Sequence, residues 1–383
     1  MWGKMTNAIN QLNGSGDESN RRTTDGKAHL ANPAVIKNSV CMVTGGAGFI
    51  GSHLIDTLAA PALHNHVVVL DNLSTGKLAN IAHHFMDNEA FRNLIKDETR
   101  GITYANASRN KEEQKEALGL SSNHVTFIKG DITDLALLQN IFQKYKPQFV
   151  FHQAAIPSVP RSVKDPVKSN NANVNGTLNV LVSARDANVK KVVYASSSSV
   201  YGDTPTLPKK EDMKPCPLSP YAVSKLAGEY YCKVFTECYG IKTVALRYFN
   251  VYGARQDPSS AYAAVVPKFI TSALNKKAPT IYGDGEQTRD FTYVQDVVNA
   301  NMLAAASNAT GVFNVAGGKR ITINGLADTI IDFIQTSINP IYEDPRPGDI
   351  LHSLADISKA EQEIGYEPFF EVQNGLKETI LWY

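Results

Sequence analysis

Only four of the 383 residues are cysteine: Cys41, Cys216, Cys232 and Cys238. They form neither a Cys-x-x-Cys pair nor a disulfide framework, which fits a reducing compartment and argues against a structural zinc site. All four read as packing residues, and no metal is expected. An excess of one charge is also missing. Lys and Arg number 38 against 37 Asp and Glu, a formal net charge of +1. The chain therefore offers no basic footprint for nucleic acid and no polybasic segment for a membrane surface. Any anionic ligand must be held by a few local cations. No apolar run is long enough to span a bilayer, and the first residues lack the apolar centre of a secretory signal. A cytoplasmic location is expected, without nucleic-acid or membrane partners. Internal repeats are absent as well. What remains is ordinary globular composition, 43% apolar and 20% charged, enough for a packed core.

Residues 1–37 are rich in Asn, Ser, Gly, Asp, Arg and Thr and read as a disordered leader. From Val40 onward, short apolar runs alternate with helical patterns. Val40 to Thr44, His66 to Leu70, Val125 to Lys129, Phe149 to Gln153, Lys191 to Ser196 and Lys242 to Tyr248 read as buried strands. Such alternation predicts an α/β fold with a doubly wound parallel sheet, whose ligands bind beyond the carboxyl ends of the strands. The interval from His83 to Asn123 is long, charged and polar for one connection, and reads as a surface insertion.

The segment "VCMVTGGAGFIGSHL" (Val40 to Leu54) places Gly45, Gly46, Gly48 and Gly51 between the first strand and a helix over Phe49 to Ala60. Glycines at that junction let backbone N–H groups and the positive end of a helix dipole converge on a pyrophosphate. The second strand leads into "DNLSTGK", and Asp71 stands about twenty residues beyond the last glycine, where a carboxylate accepts from both hydroxyls of an adenosine ribose. That pattern favours NAD over NADP. Asp131, after the third strand, is the expected partner of the adenine.

Further along, Tyr221 and Lys225 stand four residues apart at a helix start, on one face. An ammonium beside a phenol lowers its pKa toward that of a working general base. Ser197, closing the preceding strand, would hold the same substrate hydroxyl from the other side.

These motifs together, with "FHQAA", "VYG", "LRYFNVYG" (Leu246 to Gly253), "GDGEQTRDFTYVQD" (Gly283 to Asp296) and "PRPGDILHSLADISKA" (Pro345 to Ala360), resemble the extended short-chain dehydrogenase/reductases. More narrowly, the chain resembles UDP-hexose 4-epimerases over nearly all of Val40 to Tyr383. The resemblance implies a Rossmann-type NAD-binding domain over 38–252, with about 288–307 returning to it, and a smaller α/β nucleotide-sugar domain over 253–383. Gly45, Gly48, Phe49, Ile50, Gly51, Asp71, Asn72, Ser74, Thr75, Gly76, Asp131, Ile132, Gln153, Ala154, Ala155 and Lys225 would hold NAD. Arg289 and Arg346 would clamp the diphosphate with Asn250, while Tyr282 would lie by the uracil and Asp349 by its ribose. Ser198, Ser199, Arg161 and Ser353 would face the sugar. The implied reaction is C4 inversion through a transient 4-keto sugar, with Ser197, Tyr221 and Lys225 catalytic and no net use of cofactor.

Pro157 departs from the lysine that many galactose epimerases carry there. The residue at Ser353 borders the pocket for the C2 substituent in this family, and a small serine leaves room for an N-acetyl group. "SVPRSVKDP" (Ser158 to Pro166) resembles the branch using N-acetylated sugars or their uronic acids, in which Arg161 could meet a C6 carboxylate. The expected substrates are thus UDP-N-acetylglucosamine and UDP-N-acetylgalactosamine or their uronic acids. Three alternatives stay open: a 4,6-dehydratase, disfavoured because Ser198 and Ser199 replace its Asp-Glu pair, a UDP-uronate decarboxylase, and a non-catalytic NAD-sensing protein. A homodimer is the family expectation, through helices with apolar outer positions at Val180, Leu181, Tyr230 and Val234.

Overall fold

A computed structural model describes residues 36–99, 119–122, 124–258, 264–345 and 351–383. The proposed leader, apart from its last two residues, lies outside them, as do Arg346 and Asp349.

Seven parallel strands and one antiparallel edge strand form the central sheet. They are β1 (Val40–Thr44), β2 (His66–Asp71), β3 (Gly119–Ser121), β4 (Val125–Lys129), β5 (Phe149–His152), β6 (Lys191–Ser197), β7 (Lys242–Tyr248) and, later in the chain, β12 (Gly311–Val315), in the order β12-β7-β6-β5-β1-β2-β4-β3. The six strands expected from the sequence all form, within a residue at their ends. The chain winds outward from β1 in both directions, so the switch point falls between β1 and β5. Helices cover both faces: α1 (Phe49–Leu58), α2 (Glu89–Thr99), α3 (Leu135–Tyr145), α4 (Val159–Lys164), α5 (Pro166–Asn170), a π turn (Asn171–Asn175), α6 (Gly176–Asp186) and α7 (Pro220–Tyr239). None is long and apolar enough to cross a membrane.

After β7 the strands are short. β8 (Val251–Tyr252) runs parallel to β11 (Thr292–Tyr293), β9 (Thr280–Tyr282) parallel to β14 (Ile341–Glu343), and β10 (Thr288–Asp290) antiparallel to β13 (Arg320–Thr322). α8 (Val265–Leu274), α10 (Ile323–Ile334) and α12 (Val372–Trp382) pack around them through Phe269, Ile270, Leu326, Ile330 and Leu376. α9 (Val294–Ala306) instead joins the core of the main sheet through Val297, Ala300 and Ala304, near α11 (Ser358–Ile364).

Three expectations are corrected. The 83–123 interval is not merely polar surface: within its described part, Phe85 and Phe91 stack at 4.3 Å and are buried with Leu120 against the sheet. Aromatic residues spaced along a charged segment conceal that burial. Val180 and Leu181 are wholly buried between α6 and the sheet, whereas Tyr230 and Val234 are exposed. Cys41 and Cys232 pack in the core, but Cys216 and Cys238 are exposed.

α7 carries the chemistry expected from the sequence, and its boundaries have clear causes. Ser219 accepts from the Ala222 N–H at 3.1 Å, Pro220 opens the first turn, and Gly240 in a left-handed conformation (φ +72°) ends the helix. Behind it, Glu229 is locked to Arg247 of β7 by Nε–Oε1 and Nη2–Oε2 bonds of 2.9 and 2.7 Å. Ser196 Oγ donates to the same carboxylate at 2.5 Å. Glu229→Ala leaves a buried guanidinium without its partner, and a loss of about 3–5 kcal/mol is expected in urea unfolding. Replacing both members with apolar side chains of similar volume should cost much less.

Candidate functional site

A cavity of about 350 Å³ opens at the carboxyl ends of β1, β2, β5 and β6. Gly45 has φ +70°, and a Cβ there would meet the Cα and N of Ala154 at 2.7 Å, so glycine is required where the turn after β1 passes the turn after β5. A Cβ at Gly51 would meet Gly45 O at 2.3 Å. The helix α1 begins at Gly48 with no side-chain cap, so its first N–H groups are available to an anion. Gly45, Gly48, Phe49, Ile50 and Gly51 all line the cavity.

Asp71 also lines it. Its Oδ2 accepts from the Ala47 N–H at 3.0 Å and its Oδ1 from the Leu73 N–H at 2.8 Å. The carboxylate thus holds the glycine turn in place. Asn72 donates to Asp131 Oδ2 at 2.6 Å, joining two residues that the sequence placed separately. Burial raises the Asp131 pKa, but the bonds from Thr133 and Asn72 outweigh it and leave the carboxyl below its ordinary value. Ser74, Thr75, Ile132, Gln153, Ala154 and Ala155 complete the expected wall. Gly76 lies against Ala47 and Asp71, where a Cβ would approach both at 2.9 Å, and supports the turn instead of bordering the cavity. The anion-binding turn, the carboxylate and the apolar wall fit a dinucleotide.

Tyr221 and Lys225 also line this cavity. The Ser197 hydroxyl is hydrogen-bonded to the Tyr221 phenol and accepts from the Ser199 N–H at 3.2 Å. Burial raises the Tyr221 pKa, and the Ser197 bond lowers it only in part. Lys225 Nζ donates to the Ala195 carbonyl at 2.8 Å and lies 5.9 Å from the Tyr221 ring centroid. Burial pulls Lys225 down to about 7. The expected depression of the phenol by the ammonium is therefore not present in this geometry, because desolvation acts on both groups and the lysine is turned to a carbonyl. Ser199 Oγ is buried without a hydrogen-bond partner.

A second cavity of about 280 Å³ is lined by Asn250, Tyr282 and Arg289, joined by Lys268, Phe269 and Gln287, which sequence reasoning did not single out. Asn250 donates to the Asp290 carbonyl at 2.9 Å, and Arg289 Nη1 donates to Leu351 O at 3.1 Å. Ser353 N donates to Thr288 O at 3.0 Å, so 351–353 runs beside the strand carrying Arg289. Ser197, Ser198, Ser199, Ser353 and Arg161 border neither cavity, and of the serine run only Ser196 lines the first. Arg161 sits on α4, next to Ser162, whose Oγ accepts the Tyr221 N–H at 3.0 Å.

Two positioning residues escaped the sequence reading. Asn173, in the π turn, accepts from Ile156 N at 2.7 Å and donates to Ser224 Oγ at 3.0 Å, joining the cavity wall to α7. Its signal was an asparagine-rich run with no charge to mark it. His152 is buried between Thr44 and Thr177, at 2.7 and 2.9 Å. Thr177 gives its proton to Asn173 O, so His152 Nε2 must donate to Thr177 and Nδ1 must accept from Thr44. Thr44 in turn receives the Ala154 N–H at 3.3 Å.

Residues 41–316 match the NAD dependent epimerase/dehydratase family. A UDP-glucose 4-epimerase of Mycolicibacterium smegmatis is 36% identical over 344 residues, 89% of this chain and 97% of that protein. Among solved structures, a UDP-N-acetylglucosamine 4-epimerase of Methanobrevibacter ruminantium, in complex with UDP-N-acetylmuramic acid, is 42% identical with a TM-score of 0.76, covering 90% of this chain and 98% of the other. A Bacillus cereus UDP-glucuronic acid 4-epimerase, with UDP-glucuronic acid and NAD, is 30% identical with a TM-score of 0.72 over the same shares.

The buried imidazole generates a prediction. Burial, then the nearby Lys225 charge, pulls the His152 pKa from 6.5 to about 3. Below 6.5 the unfolded chain binds a proton that native His152 does not, so the unfolded state gains and stability falls as pH drops from about 6.5 toward about 3. Between pH 7 and pH 5 this one residue should remove about 2 kcal/mol. Urea unfolding at the two pH values should show the loss, with a smaller pH dependence in His152→Asn.

Proposed function

Because the chain belongs to the NAD dependent epimerase/dehydratase family, we propose that it is a UDP-sugar 4-epimerase acting on UDP-N-acetylglucosamine and UDP-N-acetylgalactosamine or on the corresponding uronic acids. The observation that carries the reading is that Tyr221 and Lys225 meet in the wall of the cavity at the carboxyl ends of β1, β2, β5 and β6, with Ser197 against the Tyr221 phenol. The glycine turn, Asp71 and the Asn72–Asp131 pair hold NAD, which supplies a reversible hydride acceptor for the sugar's C4.

Tyr221 takes the proton of the C4 hydroxyl and returns it after the 4-keto ring has turned its other face. Ser197 holds the same oxygen throughout. Removal of the Tyr221 proton depends on a nearby cation, and Lys225 is the residue placed to supply it once the site is loaded. Burial draws Lys225 to about 7 and so works against its charge, a cost that the bound ligands would have to offset. Ring turnover requires a firm anchor at the UDP end and a loose sugar end. Asn250, Tyr282 and Arg289 form that anchor, with Arg346 and Asp349 completing it. Exposed Val223, Tyr230 and Val234 on α7 support pairing with a second copy.

The choice of sugar rests on Ser353 and Arg161. Ser353 is small and lies beside the strand of Arg289, and Arg161 adjoins the residue that fixes the start of α7. Similarity to the N-acetylglucosamine and glucuronic acid epimerases supports this choice, while UDP-glucose is the competing substrate suggested by the mycobacterial relative.

Tyr221→Phe should keep UDP-sugar binding, read by calorimetry, and lose turnover by roughly 10²–10⁴. Near-normal turnover would remove Tyr221 from its role. Incubation with UDP-N-acetylglucosamine, without added oxidant, should give UDP-N-acetylgalactosamine by chromatography, at a higher kcat/KM than UDP-glucose or else with the uronic acids preferred to both. Ser353→Tyr should exclude the acetylated sugars at a cost of about 1–3 kcal/mol and keep UDP-glucose turnover. A wild-type preference for UDP-glucose would overturn the substrate choice and leave the epimerase reading standing.

A further inference from the structure

Outside both cavities, three side chains that the proposed reaction does not use converge on one point. Asp56, on the outer side of α1, has its Oδ1 at 2.7 Å from His83 Nε2 and 2.9 Å from His84 Nε2. One ligand atom from each of the three residues lies within 4.8 Å of the others. Adjacent residues usually point apart, but the short 3₁₀ turn Ala82–Phe85 brings both rings to one side, with centroids 4.1 Å apart. The other carboxylate oxygen, Oδ2, accepts from Arg255 Nη2 at 2.7 Å. That bond fixes the rotation of the carboxylate and leaves Oδ1 as its one donor toward the imidazoles.

We infer that Asp56, His83 and His84 form a binding site for a first-row divalent transition metal, with Zn²⁺ as the ion of reference and water completing the coordination. Two imidazole nitrogens and one carboxylate oxygen are a donor set suited to such ions and too nitrogen-rich for Ca²⁺ or Mg²⁺. The side chains of Asp56, His83 and His84 are 32%, 26% and 15% exposed, so an ion can reach them from solvent. The imidazoles now give two N–H groups to one oxygen. A metal replaces both protons with a single cation and lets each ring use a lone pair, after a small outward shift of the rings. Arg255 opposes a second positive charge at this place. The carboxylate offsets part of that repulsion, and access to water screens the rest. As the outer partner of the ligating carboxylate, Arg255 serves to orient it.

The role assigned to the ion is structural. Lys77 N and Asn80 Nδ2 both donate to Ala47 O at 2.9 Å, so the strip leading to the histidines already leans on the glycine turn. An ion at Asp56 would join the helix after that turn to the start of the 83–123 interval and, through Arg255, to the turn after β8. Cysteine spacing could not reveal such a site, because Asp56 is 27 residues before His83.

The test uses the untagged full-length chain. After dialysis against Zn²⁺ and removal of loosely held ion, elemental analysis should find one zinc per chain, and Zn²⁺ should raise the unfolding midpoint in a way that EDTA reverses. Co²⁺ should give the visible d–d bands of a site with nitrogen ligands. His83→Asn and His84→Asn should each abolish stoichiometric binding, and Arg255→Gln should weaken it about 10–100-fold. Absence of a stoichiometric site for both Zn²⁺ and Co²⁺ in the wild-type chain overturns the inference, as does binding that persists in both histidine variants. If one variant fails to fold, the Co²⁺ spectrum of the wild type still decides between imidazole ligands and none.

Discussion

The turn after β1 can approach the turn after β5 only because nothing projects from Gly45. A side chain there would overlap the backbone of Ala154, and the two turns form adjacent walls of the larger cavity. Closeness at the switch point sets the width of the crevice and aims the start of α1. It also places Thr44, immediately before the glycine, where its hydroxyl takes the Ala154 N–H and meets His152. From His152 the bonding continues through Thr177 to Asn173, and from Asn173 to Ile156 and Ser224. The turns after β1 and β5 and the helix carrying Tyr221 are thereby parts of one hydrogen-bonded frame.

Much of this was legible in the sequence, for physical reasons. Buried parallel strands must be apolar on both faces, so β1, β2, β4, β5, β6 and β7 declare themselves. Gly45 and Asp71 are marked by residue types with few other uses at their positions. β12 was missed because its neighbour in the sheet, β7, is far away in sequence, and β3 because three residues give too short a pattern. The buried aromatics Phe85 and Phe91 were hidden by surrounding charge. Hydrogen-bonding roles were the least visible. Nothing in the letter Asn at 173, or His at 152, says that the side chain will be buried and fully used.

Electrostatics show where spacing alone misleads. Tyr221 and Lys225 stand on one helical face as read, yet four residues of separation do not fix the direction of a lysine. Its ammonium bonds the Ala195 carbonyl, and burial moves the two groups in opposite senses, the phenol up and the ammonium down. Both shifts favour the neutral forms. The pair as it stands stores its proton on the phenol, and the charge that releases it must come from the arrangement of the loaded site.

Asp71 carries a consequence of another kind. Its two oxygens receive the N–H groups of Ala47 and Leu73, so the carboxylate proposed to meet the ribose also pins the glycine turn. Cofactor preference is consequently not an independent dial on this scaffold. Redesign toward a 2′-phosphorylated dinucleotide would need more than exchanging an acid for a neutral or basic residue. It would have to supply a new acceptor for Ala47 before the turn could keep its shape.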